Sequence, residues 1–169
     1  MKKVIVGVLL GLVCFVTTSV PSRAQSAPSS KEVNEFSYDD AQLLLHVAAA
    51  EAGNQGTEGM WLVMSVVLNR TRSDAFPDCI YDVIYQSLET KTGKTVYQFS
   101  TVANGTIDTA EISPECHLAL AKIECGEVAE DIVAFETKDS NCLEKWFNPA
   151  LTYKDHQFYT LKPTEKTMR

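Results

Sequence analysis

From Ser37 onward, apolar residues fall at helical spacing: Leu44, Val47, Ala48 and then Glu51 share one face. Ser37-Tyr38-Asp39-Asp40 in front of them is a capping-box signature, so the pattern predicts a first helix over 38–52, ended by Gly53 and the turn Asn54-Gln55-Gly56. Thr57 is the expected N-cap of a second helix through Trp61, Met64, Val67 and Leu68 to about Arg72. Pro77 precedes a third over 79–87, with Ile80, Val83 and Ile84 inward. Thr92-Gly93-Lys94 predicts a turn into a strand over 96–100, and Asn104-Gly105 another turn. Ser113-Pro114-Glu115 combines a cap, an N1 proline and a first-turn acid, which starts a fourth helix reaching Cys125, with Gly126 behind it. Short strands are expected over 132–135 and 157–160, and the stretch 141–153 between them, with Trp146-Phe147-Asn148-Pro149, reads as a long loop. Helices early, small strands late and no repeats make the class α+β.

The N-terminus adds a compartment. Met1-Lys2-Lys3, an apolar run over 4–16 and small residues at Ser22 and Ala24 form the three regions of a signal peptide over 1–24. The run is short of the roughly 20 apolar residues a membrane span needs, so stable insertion after cleavage is not expected. Cys14 lacks the small residue that precedes a lipidated cysteine, which argues against a lipoprotein. A polar linker over 25–35, a domain over 36–161 with a single core, and a polar tail over 162–169 follow. Cleavage would remove three of fifteen basic residues (Lys2, Lys3 and Arg23) and none of twenty-two acids, leaving a net charge of about −10. Nucleic acid and anionic lipid are therefore poor partners.

Cys79, Cys116, Cys125 and Cys142 remain, an even count that suggests disulfides in an exported chain. Cys116 and Cys125 on one helix would lie about 13 Å apart at 1.5 Å per residue, beyond the roughly 7 Å a disulfide spans. The expected pairings are Cys79–Cys116 with Cys125–Cys142, or Cys79–Cys125 with Cys116–Cys142; four buried thiols are the alternative. Without C-x-x-C or paired histidines, no metal site and no cofactor are expected.

Glu51 is the unusual position, because an apolar stripe ends on it. A carboxyl facing the protein or a cleft is desolvated, and the negative end of the helix dipole acts in the same direction, so the protonated form is favoured. Such a group can donate a proton to a leaving group, as the acid of a glycosidase does. If the helix frays at Ala50, Glu51 is merely solvated. Glu58 falls in the first turn of the second helix, where the dipole favours ionised carboxylate. It is the candidate partner of Glu51, or simply a dipole-stabilising acid.

The segment over 48–73, AAAEAGNQGTEGMWLVMSVVLNRTRS, resembles the cell wall hydrolases of the spore cortex-lytic enzyme SleB family: AEA, a short turn, EG, an apolar helix and VVLNR. The resemblance continues through Phe76-Pro77, Val83 to Gln86, Gln98-Phe99-Ser100, Asn104-Gly105 and a closing His156, Phe158 and Tyr159, covering the whole domain over 36–161. It implies a mainly helical, lysozyme-like or lytic-transglycosylase-like fold with a small sheet. It also implies cleavage of peptidoglycan between N-acetylmuramic acid and N-acetylglucosamine, with Glu51 at the family's catalytic glutamate. In a transglycosylase the muramic C6 hydroxyl attacks, leaving a 1,6-anhydro end; a hydrolase needs a second carboxylate, for which Glu58 is the candidate. Where many members have Arg-Gly-Glu after AEA, this chain has Gly53-Asn54-Gln55. The partner so implied is the peptidoglycan strand; the leader points to a secreted protein at the cell wall or spore envelope, and a monomer is expected.

Tyr97, Gln98, Phe99, Ser100, Asn104 and His156 are the candidate substrate-binding residues, with Trp146, Phe147 and Tyr159 as further sugar-stacking candidates. Asn69 and Arg70 are expected to tie the second helix to neighbouring carbonyls or acids. Two other function classes compete. Cys116 at a helix N-terminus, with His117 or His156, would suit a cysteine peptidase or amidase. A wall-binding module without catalysis is the other.

Overall fold

The computed structural model describes residues 35–163. The expected signal peptide over 1–24, most of the linker over 25–35 and most of the tail over 162–169 lie outside these residues. No helix among them is long and apolar enough to cross a membrane.

Helix α1 spans Tyr38–Ala52, the range the pattern predicts, and the Ser37 Oγ accepts from the Asp40 amide at 3.1 Å to cap it. Its buried side is Leu44, Leu45, Val47, Ala48 and Ala49. The chain does not reverse at Gly53. A 3-10 turn, Gly53–Gln55, continues the coil, and Gly56, with φ of 72°, makes the reversal. Helix α2, Gly56–Thr71, starts one residue before the expected Thr57 cap, because the turn feeds directly into it. Gly59 permits that join: a Cβ there would collide with the Cβ of Gln55. Helix α2 is buried along most of its length and packs against α1 and against α5, Pro114–Glu124.

Helix α3, Ile80–Ile84, is shorter than expected, with Ile80, Val83 and Ile84 inward as the pattern requires. Ser87–Glu89 (β1) and Thr95–Tyr97 (β2) form an antiparallel hairpin, so the residues after Tyr97 are not strand: Ser100–Ala103 is a short helix, α4. Ile132–Thr137 (β3), Phe147–Tyr153 (β4) and His156–Leu161 (β5) form an antiparallel sheet in the order β3-β5-β4. Strand β4 replaces most of the loop expected over 141–153. It escaped the pattern because its residues are exposed on both faces and leave no alternation of apolar and polar. It is also an edge strand, and its register shifts between Pro149 and Leu151, the setting in which a strand tolerates proline.

The β4–β5 turn docks on the turn after α1. Lys154 Nζ donates to the Gln55 carbonyl oxygen at 2.6 Å, Gln55 Nε2 donates to Asp155 Oδ2 at 3.1 Å, and the Asp155 amide donates to Gln55 Oε1 at 3.3 Å. Gln55 is buried, so these bonds satisfy polar atoms that water does not reach.

The disulfide expectation is not met: all four described cysteines are free. Both pairings need Cys116, which is fully buried and donates from Sγ to the Leu45 carbonyl oxygen at 3.4 Å. Cys79 instead caps α3, its Sγ accepting from the Asp82 amide.

Candidate active site

Glu51 closes α1 beside a cleft of about 250 Å³. The cleft is walled by Tyr97, Gln98, Phe99 and Ser100 from the β2–α4 segment, Glu136 and Thr137 from β3, and His156 from β5. Glu51 Oε1 accepts from the Thr101 hydroxyl at 2.7 Å and from the Thr101 amide at 3.4 Å. The carboxyl is half-buried at the end of an apolar stripe, held from one side by one residue.

The expected second carboxylate is elsewhere. Glu58 Oε2 pairs with Lys122 Nζ of α5 at 2.6 Å, and Lys122 also lies 3.9 Å from the centroid of the Trp61 ring. The first turn of α2 faces α5, which takes Glu58 out of the cleft lining. Glu136 is the carboxylate that shares the cleft with Glu51. Its Oε1 accepts from the Tyr159 hydroxyl at 2.6 Å and the Leu143 amide at 3.2 Å, and its Oε2 from the Ser140 hydroxyl at 2.5 Å. Burial pushes this carboxyl's pKa up, but the bonds from Ser140, Tyr159 and the Leu143 and Cys142 backbone outweigh it and hold the pKa below its usual value. Glu136 is thus an anion at neutral pH. No sequence signal marked it, since its donors come from β5 and from the segment after β3.

The remaining candidates divide. Tyr97, Gln98 and Ser100 are exposed at the cleft. Phe99 lines it but is buried, with its ring under the Arg70 guanidinium rather than open for stacking. Asn104 lies outside the lining, where its Oδ1 accepts from the Thr106 amide and hydroxyl and shapes a turn. His156 is nearly buried against the rings of Phe135 and Phe158. Burial lowers its pKa against the opposing pull of Glu51 and Asp155, so the imidazole is neutral near pH 7. Tyr159 is core, with its hydroxyl committed to Glu136, and Trp146 and Phe147 are not part of the cleft. Asn69 donates to the Ala129 and Ile132 carbonyls and Arg70 to that of Val133, tying α2 to the sheet as expected.

The cysteine alternative fails on geometry. Cys116 sits in the helical core, and burial pushes its thiol up to about 11, overriding the helix N-terminus that was expected to lower it. No group of three or more potential metal ligands comes together among the described residues. A larger hollow of about 660 Å³ opens beside Asn69, Arg72 and Asp131. Size does not decide here, because the paired carboxylates lie in the smaller cleft.

A family described as Cell Wall Hydrolase matches residues 54–166, beginning three positions after Glu51. The spore cortex-lytic enzyme of Bacillus subtilis (strain 168) is 31% identical over 90 residues, which are 53% of this chain and 27% of that protein. The chain thus spans about a quarter of the length of the curated relative it matches. The catalytic domain of the germination-specific lytic transglycosylase SleB from Bacillus anthracis superposes with a TM-score of 0.59 at 21% identity, over 75% of this chain and 98% of that one. The catalytic domain of the Bacillus cereus SleB protein gives 0.59 at 22% identity, over 75% and 94%. These two likenesses establish the α+β fold.

Proposed function

The chain belongs to the cell wall hydrolase family, and from that premise we propose that it cuts peptidoglycan glycan strands between N-acetylmuramic acid and N-acetylglucosamine, as a lytic transglycosylase with Glu51 as general acid. The observation that carries this reading is the contrast between the two cleft carboxyls. Glu51 accepts hydrogen bonds from Thr101 alone, through Oε1, whereas Glu136 accepts from Tyr159, Leu143 and Ser140 and stays charged. Glu51 gives its proton to O4 of the departing glucosamine as the bond to muramic C1 breaks. The muramic C6 hydroxyl then closes on C1, and its proton returns to the Glu51 carboxylate, so no water is consumed. The Glu136 anion faces the positive charge that grows on the sugar ring between the two events.

Hydrolysis is the second reading, favoured by the presence of a second carboxylate in the cleft. Against it, the oxygens of Glu136 are already engaged by Tyr159, Leu143 and Ser140, which leaves a weak base. The leader-like N-terminus and acidic balance support action outside the cytoplasm, at the wall or spore envelope.

Mass spectrometry of the soluble products released from purified peptidoglycan tests the reading. Anhydro-muropeptides made by the protein and lost in Glu51→Gln are expected. Reducing muramic ends would mean hydrolysis instead, and activity surviving in Glu51→Gln would remove Glu51 from the mechanism. No products from either protein would leave a glycan-binding module.

A further inference from the structure

Among the described residues, two buried side-chain atoms, Arg70 Nη1 and His156 Nδ1, lack a hydrogen-bond partner, and both residues line the Glu51 cleft. Arg70 is 5% exposed. Its Nε donates to the Val133 carbonyl oxygen at 2.6 Å, and its guanidinium lies 5.0 Å and 5.1 Å from the ring centroids of Phe76 and Phe99. Neither cleft carboxylate is a partner of it: Glu51 accepts from Thr101, and Glu136 from Tyr159, Ser140 and Leu143. Burial lowers its pKa to about 10, which still leaves it charged at neutral pH. A charge withdrawn from water is costly unless it is paired. Guanidinium only donates, so the missing partner is an acceptor.

Given the proposed substrate, the geometry points to Arg70 as the residue that receives the lactyl group of muramic acid, with a lactyl carbonyl or carboxylate oxygen seated on Nη1. The two sugars of the strand differ only in this 3-O-lactyl substituent. Acetamido oxygens occur on both sugars and cannot tell them apart, whereas the lactyl oxygen occurs on muramic acid alone and can accept from the open Nη1. Arg70 therefore sets register, deciding which of the alternating sugars lies over Glu51 and which of the two kinds of glycosidic bond is cut.

Calorimetry on the full chain carrying Glu51→Gln, which binds without turnover, tests this with three glycans. They are a peptide-free GlcNAc-MurNAc tetrasaccharide, the same glycan with its lactyl carboxylates reduced to alcohols, and chitotetraose. The unreduced muramyl glycan is expected to bind on the order of tenfold more tightly than the other two, the size of one hydrogen bond to a charged group. Adding Arg70→Lys, which keeps the charge and loses the Nη1 donor, should bring all three within about twofold. Equal affinities in Glu51→Gln, no binding of any glycan, or a preference that persists in Arg70→Lys would each overturn the assignment. If Arg70→Lys does not fold, the comparison in Glu51→Gln alone decides. Because the readout is binding, lactyl preference in a protein that releases no products would retain Arg70's role while removing the acid role of Glu51.

Discussion

Glu51 ends a helix whose buried face, Leu44, Leu45, Val47 and Ala48, is set by packing against other helices, and a single residue, Thr101, reaches its carboxyl. Glu136 lies on an edge strand of the sheet, where Tyr159 from β5 and Ser140 and Leu143 from the following segment converge on it. The helical region thus presents a carboxyl with spare capacity, and the sheet presents one whose capacity is filled. The donors that converge on Glu136 hold it as an anion, whereas Glu51 accepts from Thr101 alone, a difference that follows from the number of donors around each rather than from residue type.

The largest effect is expected at Glu51. Glu51→Gln is expected to lower the rate of product release by about 10²–10⁴-fold, the usual contribution of a general acid, with an unchanged melting temperature. A melting temperature that falls with the rate would show Glu51 to be structural and erase the contrast.

Tyr159→Phe acts on the other side. Its buried hydroxyl donates to a charged acceptor, so stability near neutral pH should fall by about 1.5–3 kcal/mol. Glu136 has a lowered pKa in the folded protein, so its contribution to stability is fully present above the unfolded carboxylate range and is lost as pH falls through the folded value. Losing the Tyr159 donor raises that folded value. The difference in melting temperature between variant and parent should therefore be greatest near pH 7 and shrink below about pH 4. A difference independent of pH would mean that the hydroxyl serves packing and not the anion.

Thr101→Ala removes the side-chain partner of Glu51. A loss of about tenfold in kcat at roughly 1 kcal/mol in stability is expected, because the acid remains but is no longer aimed. Full activity would mean that the Thr101 amide and the cleft walls suffice to hold it.

Glu58→Gln should do least. Its pair with Lys122 is partly exposed, a setting worth about 0–1 kcal/mol, and product release should be unchanged. A large fall in rate would return Glu58 to the mechanism and displace Glu136.

Legibility followed the range of the interactions. Helix α1 was readable to the residue, because Ser37 caps it and Leu44, Val47 and Ala48 repeat within a few turns. The start of α5 was equally clear from Ser113 and Pro114. Strand β4 was not, since it buries neither face and is held by pairing with β5. Thr101, just beyond the Gln98-Phe99-Ser100 motif, carried no signal of its own for its contact with Glu51.

The order of residues by itself determined where α1, α2 and α5 coil, that the class is α+β, and that a carboxyl closes the apolar face of α1, because capping and periodicity act between residues a turn apart. Only the tertiary structure decided that Glu136 rather than Glu58 shares the cleft, that Cys116 is an inert core thiol, and that Arg70 keeps an unpartnered donor. Those outcomes depend on desolvation and on donors arriving from distant segments, and neither is set by the local sequence.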